Sequence, residues 1–120
     1  MTVLESKMRS LALSAFPLLS DLARSTSAGE RLAAVALLQE IPSPQHLTWL
    51  AERVASEKPF IGYHATVALL VAARTLGKSH PDEVASAVKM ARDLLVNLPS
   101  QDPNQVRTLD FAQAELSRPE

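Results

Sequence analysis

Apolar residues recur along this chain at the three- and four-residue steps of an amphipathic helix, and no segment calls for a strand. Leu4, Met8, Leu11 and Ala15 open the first stripe, which runs on through Leu18, Leu19 and Leu22. Pro17 falls inside it. Proline removes a backbone donor and clashes with the preceding turn, so this stretch reads as two helices meeting near Phe16 or as one kinked helix. After the turn Ser25-Thr-Ser-Ala-Gly, Ser27 and Glu30 have the spacing of a capping box, which predicts a helix over 28–39. Ser43 as N-cap and Pro44 at the first helical position start the next, with Leu47, Leu50, Ala51 and Val54 inward.

Glu57-Lys-Pro interrupts, and residues 60–76 form the most apolar segment, closed by Gly77 as a natural C′ residue. Pro81 opens a fifth helix, with Asp82 and Glu83 at the positive end of its dipole and Val84, Val88, Ala91 and Leu95 as its stripe. Pro99 ends it. Asp102, Pro103 and Gln105 repeat the capping pattern before Val106, Leu109, Ala112 and Leu116. The chain is therefore predicted to be all-α, with about six antiparallel helices in one domain, arranged as helical pairs or as a compact orthogonal bundle.

The segments also resemble one another. Ala33-Ala-Val-Ala-Leu-Leu returns 32 positions later as Ala65-Thr-Val-Ala-Leu-Leu, Leu18 returns as Leu50, and Leu22 as Val54. A period in this range is that of helical-repeat proteins. It divides the chain into units at about 15–41, 44–76 and 82–116, the third the weakest. An apolar leading helix, an Asp-Pro turn, Val106-Arg107 and an Ala-Ala-x-Ala-Leu trailing helix together resemble HEAT-like helical pairs. Arg31 matches the Val-Arg step loosely, and Tyr63 replaces it in the second unit.

A narrower resemblance lies in residues 29–74, through Gly-Glu-Arg-Leu-Ala-Ala, Trp-Leu-Ala-Glu-Arg, Glu-Lys-Pro-Phe and Gly-Tyr-His-Ala, with residues 107–116 as a familiar last helix. These are similar to the effector-associated α-helical module appended to bacterial TIR-domain, caspase-like and trypsin-like conflict and signalling proteins. The resemblance implies a non-catalytic adaptor that couples a toxic or signalling domain to a protein partner.

Composition narrows the chemistry. Twelve basic and thirteen acidic residues are interspersed, without the basic stripe that phosphate contacts need, so neither a nucleic acid nor an anionic membrane is an expected partner. No cysteine is present, which removes thiolate metal sites and cysteine nucleophiles and fits a reducing, cytoplasmic compartment. The longest apolar run, 65–73, is far short of a membrane span. His46, His64 and His80 lack the spacing that sets two imidazoles on one helical face, so no metal is expected. Three glycines cannot build a phosphate loop, no serine sits in a nucleophile elbow, and neither a cofactor nor catalytic residues are predicted.

Aromatic residues concentrate around the second unit. Trp49 falls off the Leu47-Leu50-Val54 stripe and shares a face with Arg53, while Phe60, Tyr63 and His64 follow the Glu57-Lys-Pro break. Trp, Tyr and Arg are the side chains that most often anchor interfaces, so Trp49, Arg53, Phe60, Tyr63 and His64 are the candidate partner-binding residues. The competing reading is that Trp49 and Phe60 plug the junction between two helical pairs, with Tyr63 and His64 a hydrogen-bonded pair beside them. The partner would be a protein, which includes a second copy of this chain that clusters an attached effector.

Overall fold

In the computed structural model, which describes residues 3–117, the first stripe breaks at its proline. Helix α1 (Val3–Ala15) passes into a single 3-10 turn, Phe16–Leu18, with Pro17 near its start, and a short α2 (Leu19–Ala23) follows. The side chains of Leu4 and Met8, expected in that stripe, lie outside the described residues. Then come α3 (Ala28–Glu40), α4 (Leu47–Ser56), α5 (Pro59–Leu76), α6 (Pro81–Val96) and α7 (Pro103–Ser117). No strand occurs among the described residues. The protein is all-α.

Local chemistry explains the boundaries, with departures from expectation. Ser27 accepts the Glu30 amide at the start of α3, but Glu30 does not reach back to Ser27. Its carboxylate takes the Ser25 hydroxyl, and Ser25 Oγ accepts the Ser27 amide, so a second serine completes the box. Ser43 makes no capping bond; Pro44–His46 form a 3-10 turn, and the buried Ser43 hydroxyl bonds Gln45 and His46. Asp102 caps as expected by accepting the Asn104 amide, whereas Gln105 turns into the core. Gly77 ends α5 in right-handed geometry, and no described glycine has positive φ. A Cβ at Gly77 would collide with the Ala73 carbonyl oxygen, so close approach explains this glycine.

Among the described residues the six largest fully buried side chains are Leu19, Leu38, Leu50, Leu69, Leu95 and Leu109, one from each of α2 to α7. One core therefore ties six helices together, each leucine contributing roughly 1.5–3 kcal/mol by its burial. Alanine does the rest. Ala34, Ala51, Ala65, Ala68, Ala91 and Ala112 are wholly buried, which lets helix axes approach closely. Helix α5 is apolar and long enough to cross a membrane by composition, but Ile61, Ala65, Ala68, Leu69 and Ala72 face the core.

Side-chain bonds fix how the helices run. Arg31 near the start of α3 meets Glu57 just ahead of α5, and Gln39 near the end of α3 meets His64. Gln105 early in α7 meets Thr66, and Arg74 late in α5 meets Glu115 late in α7. Helices α3, α5 and α7 thus run in the same direction in one layer, with α5 between the other two. Helix α4 packs on α5 and α6, and the end of α2 meets α4 through Trp49, which places α2, α4 and α6 in the second layer. The Cα radius of gyration, 13.8 Å, matches the ~13.6 Å expected for a compact chain of this length.

A buried polar knot locks α4, α5 and α7. Gln105 Nε2 donates to the Val54 carbonyl at 3.1 Å and to Thr66 Oγ1 at 3.2 Å, while Thr66 donates to the Gly62 carbonyl at 2.9 Å. Gly62 permits this, because a Cβ there would stand 2.7 Å from the Val54 oxygen and 3.2 Å from Gln105 Nε2.

Candidate partner-binding site

The five aromatic and polar residues singled out in the second unit separate into two clusters with different chemistry. Helix α4 holds the first. Trp49 is half-buried against the core and its indole N–H donates to the Ala23 carbonyl at 3.1 Å, joining α4 to the end of α2. One turn on, the Arg53 guanidinium lies 5.6 Å from the Trp49 ring centroid, within cation–π range. Arg53 also bonds Glu57 Oε2 at 3.1 Å. Glu57 is the centre of this cluster. Arg31 of α3 grips it with two parallel bonds, Nε to Oε2 at 2.5 Å and Nη2 to Oε1 at 3.0 Å, and reaches the Ser25 carbonyl with Nη1 at 3.1 Å.

The Glu57 side chain is only 4% exposed, yet it is ionised in comfort. Hydrogen bonds from Arg31, and then from Arg53, hold its carboxyl below the usual carboxylate range, against the opposing effect of burial. Arg31 is raised in turn by the bond to Glu57. This cluster is a brace: it ties the α2–α3 turn, α3 and the α4–α5 junction together, and both oxygens of its carboxylate are engaged. Sequence reasoning placed Arg53 and Trp49 together but passed over Glu57, reading it as part of a chain break. Its partner Arg31 is 26 positions away, and no local pattern announces that pairing.

The second cluster stands on the first two turns of α5. Phe60 is 64% exposed and Tyr63 is 37% exposed. Phe60 therefore does not plug the junction; Pro59 at the start of α5 leaves it on the outside. His64 lies edge-on to both rings, with centroids 4.7 Å from Phe60 and 5.7 Å from Tyr63. The hydrogen-bond partner of His64 is Gln39 of α3 rather than Tyr63. Gln39 Nε2 donates to the His64 carbonyl at 2.9 Å and to its Nδ1 at 3.1 Å. The aromatic corner is thus held from behind by α3 and open in front.

The open face continues towards α7. The Arg74–Glu115 ion pair, 3.6 Å, joins the outer edges of α5 and α7. Leu70 and Phe111 lie four positions before these partners, so each shares its flank. Phe111 is 53% exposed, a third apolar ring left outside on the same layer. In the sequence Phe111 figures only inside the 107–116 segment, and it falls off the Leu109–Ala112–Leu116 side. That offset was the available signal.

A third feature is an apolar groove of about 350 Å³ between α1, α2 and α3, lined by Leu11, Ala12, Ala15, Leu22, Ala33, Ala36 and Leu37 and closed by Gln39 and Glu40. Helix α1 is fastened there by Arg9, which donates to the Glu40 carbonyl at 2.8 Å. Leu11, which lines it, is 71% exposed, and Leu13 on α1 and Leu18 in the turn after it are 58% and 55% exposed.

His46 is pushed below its ordinary value by burial, and its ring bonds Ser43 at 3.0 Å; His80 bonds Ser79 at 2.9 Å. Among the described residues no three His, Cys, Asp or Glu side chains come together in a way that could hold a metal ion. Fold and site together define a small all-α protein of stacked helices with an internal ionic brace and an exposed aromatic corner. No family model, no curated protein and no solved structure matches this chain.

Proposed function

We propose that this chain is a non-catalytic protein-interaction module that docks a partner protein on the outer face of α5, through Phe60, Tyr63 and His64. The observation that carries the reading is the exposure of Phe60 beside Tyr63, on a ring corner held rigid by Gln39. Large apolar side chains on rigid elements are the usual anchors of interfaces, because little conformational entropy is lost when they are covered. Trp49 and Arg53 support the site from the other layer and do not touch the partner. The parallel α3, α5 and α7 against α4 and α6 support a HEAT-like construction. With the motif resemblance, that favours a cytoplasmic adaptor of a bacterial signalling or conflict system, working without metal or cofactor.

A photo-crosslinking residue in place of Tyr63 tests the reading in the cell that makes the protein. A discrete protein adduct is expected, lost when Phe60→Ala is added and absent when the crosslinker replaces the exposed Thr48 on α4. No adduct at 63, or one that survives Phe60→Ala, removes the proposal. Self-association is the second reading, favoured by the groove beside α1 with its exposed leucines. A monomer in sedimentation at high protein concentration rejects it.

A further inference from the structure

Resting on the reading that the α5 corner contacts a partner, the unsatisfied groups around it specify what that partner presents. Gln39 decides the tautomer of His64. Its amide nitrogen donates to the His64 carbonyl, so the same nitrogen also points a hydrogen at Nδ1, and Nδ1 must accept. The ring proton therefore sits on Nε2, and neutral His64 offers a hydrogen-bond donor away from Gln39. Among the described residues the His64 Nε2, the Tyr63 hydroxyl and the Lys58 ammonium have no hydrogen-bond or ion-pair partner, and Lys58 is exposed one residue before α5 begins.

The charge around them has one sign to spare. Between Arg53 and Val67 the formally charged side chains are Arg53, Glu57 and Lys58, and Arg31 reaches in from α3. The only carboxylate of the four is shared between Arg31 and Arg53, so it cannot answer Lys58. His64 beside the exposed Phe60 ring, Tyr63 edge-on to His64 and Lys58 just ahead of α5 bring three hydrogen-bond donors, one of them cationic, to this end of the helix, and among the described residues none of the three donor groups has a partner. A group that matches carries a carboxylate beside an apolar side chain. We infer that the corner formed by Lys58, Phe60, Tyr63 and His64 recognises an acidic peptide segment of its partner, with the carboxylate on Lys58 and His64 and a neighbouring apolar side chain on Phe60.

Panning a phage-displayed random dodecapeptide library on the purified chain tests this, with calorimetry of the enriched peptides and of their Asp→Asn or Glu→Gln forms. Enriched peptides are expected to carry an acidic residue near an aliphatic or aromatic one. Lys58→Glu, on an exposed side chain that folding does not need, should weaken the acidic peptide by about tenfold and leave its neutralised form unchanged, since opposed charges contribute most where water is partly excluded. His64→Phe keeps an aromatic ring beside Phe60 and Tyr63 and removes the donor; it should weaken the acidic peptide by roughly threefold or more, as loss of one hydrogen bond does. If enriched peptides lose affinity with Phe60→Ala but ignore Lys58→Glu and His64→Phe, the acidic specificity is wrong while the docking corner stands. If nothing is enriched, or binding is indifferent to Phe60→Ala, both proposals fall.

Discussion

Trp49 with Arg53 and Phe60 with Tyr63 and His64 carry the same signal in sequence, an aromatic side chain next to a basic or polar one in a helical unit. In the folded chain they are opposites. Around Glu57 both carboxylate oxygens and all three Arg31 nitrogens find partners, while the Arg53 Nε is buried without one among the described residues. At the corner the Phe60 and Tyr63 rings are exposed, and among the described residues the Tyr63 hydroxyl and the His64 Nε2 have no partner. Residue type does not separate a brace from a docking site. Hydrogen-bond accounting does, because a group already satisfied inside the protein gains nothing from a partner.

The sharpest way to break this contrast is Trp49→Ala. The substitution removes a half-buried ring, strips the Ala23 carbonyl of its donor and takes the support from under Arg53. A loss of about 3 kcal/mol is expected, read as a lower denaturation midpoint with unchanged slope. If stability barely moves, Trp49 is no brace, and it returns to the list of partner contacts.

Glu57→Ala comes next. Arg31 and Arg53 would be left facing each other without their shared carboxylate, and their approach would turn repulsive. Because both guanidiniums are partly solvated, screening limits the cost to about 2 kcal/mol. The double variant with Arg31→Ala should recover part of it, and strict additivity in that cycle would mean the pair is not coupled.

Acid gives a smaller and graded effect. His46 is lowered from its ordinary 6.5 by burial, so the unfolded chain takes up that proton first and stability falls as pH drops below about 6.5. Glu57 is lowered from 4.5, chiefly by Arg31, so its contribution is present above that value and is lost as pH falls below it. Denaturation midpoints from pH 7.5 to 3.5 should decline in two stages. His46→Gln should remove the upper stage and Glu57→Gln the lower. A midpoint that rises on acidification to pH 5.5 contradicts the His46 assignment.

Much of the architecture is legible in the sequence, because helix starts and stops are local chemistry. Pro17, Ser27, Pro81 and Asp102 each mark a boundary within a residue or two, and Pro44 opens the 3-10 turn that leads into α4. What lies between neighbours was less visible. The near-identical hexapeptides at 33–38 and 65–70 predict equal environments, but Ala36 is exposed where Ala68 is wholly buried. Moving the comparison by one residue restores agreement: Ala34 with Ala65, Val35 with Thr66 and Leu38 with Leu69 are all wholly buried. Helix α3 is turned by about 100°, one position, relative to α5. It sits at an edge that α1 covers incompletely, while α5 is flanked on both sides. From α5 to α7 the matching burial falls 40 positions on, at Gln105, Leu109 and Ala112, which is why the third unit looked weak in sequence. The site was half legible for the same reason: composition found the aromatics, and only packing showed which of them face out.

Phe60→Ala should have the smallest effect on the fold and separates the two clusters most cleanly. The ring is 64% exposed, its described ring contact is the edge of His64, and α5 begins at Pro59 whether or not a ring follows. Little buried area is lost, and alanine is a better helix former than phenylalanine. The change in unfolding free energy should stay within about 0.5 kcal/mol. Partner capture by the Tyr63 crosslinker should nevertheless disappear. Set beside Trp49→Ala, this gives a double dissociation: one aromatic holds the chain together with no contact to the partner, the other contacts the partner and holds nothing. A Phe60→Ala protein that unfolds several degrees early would place Phe60 in the core's service, and the corner would lose its claim to be a docking surface.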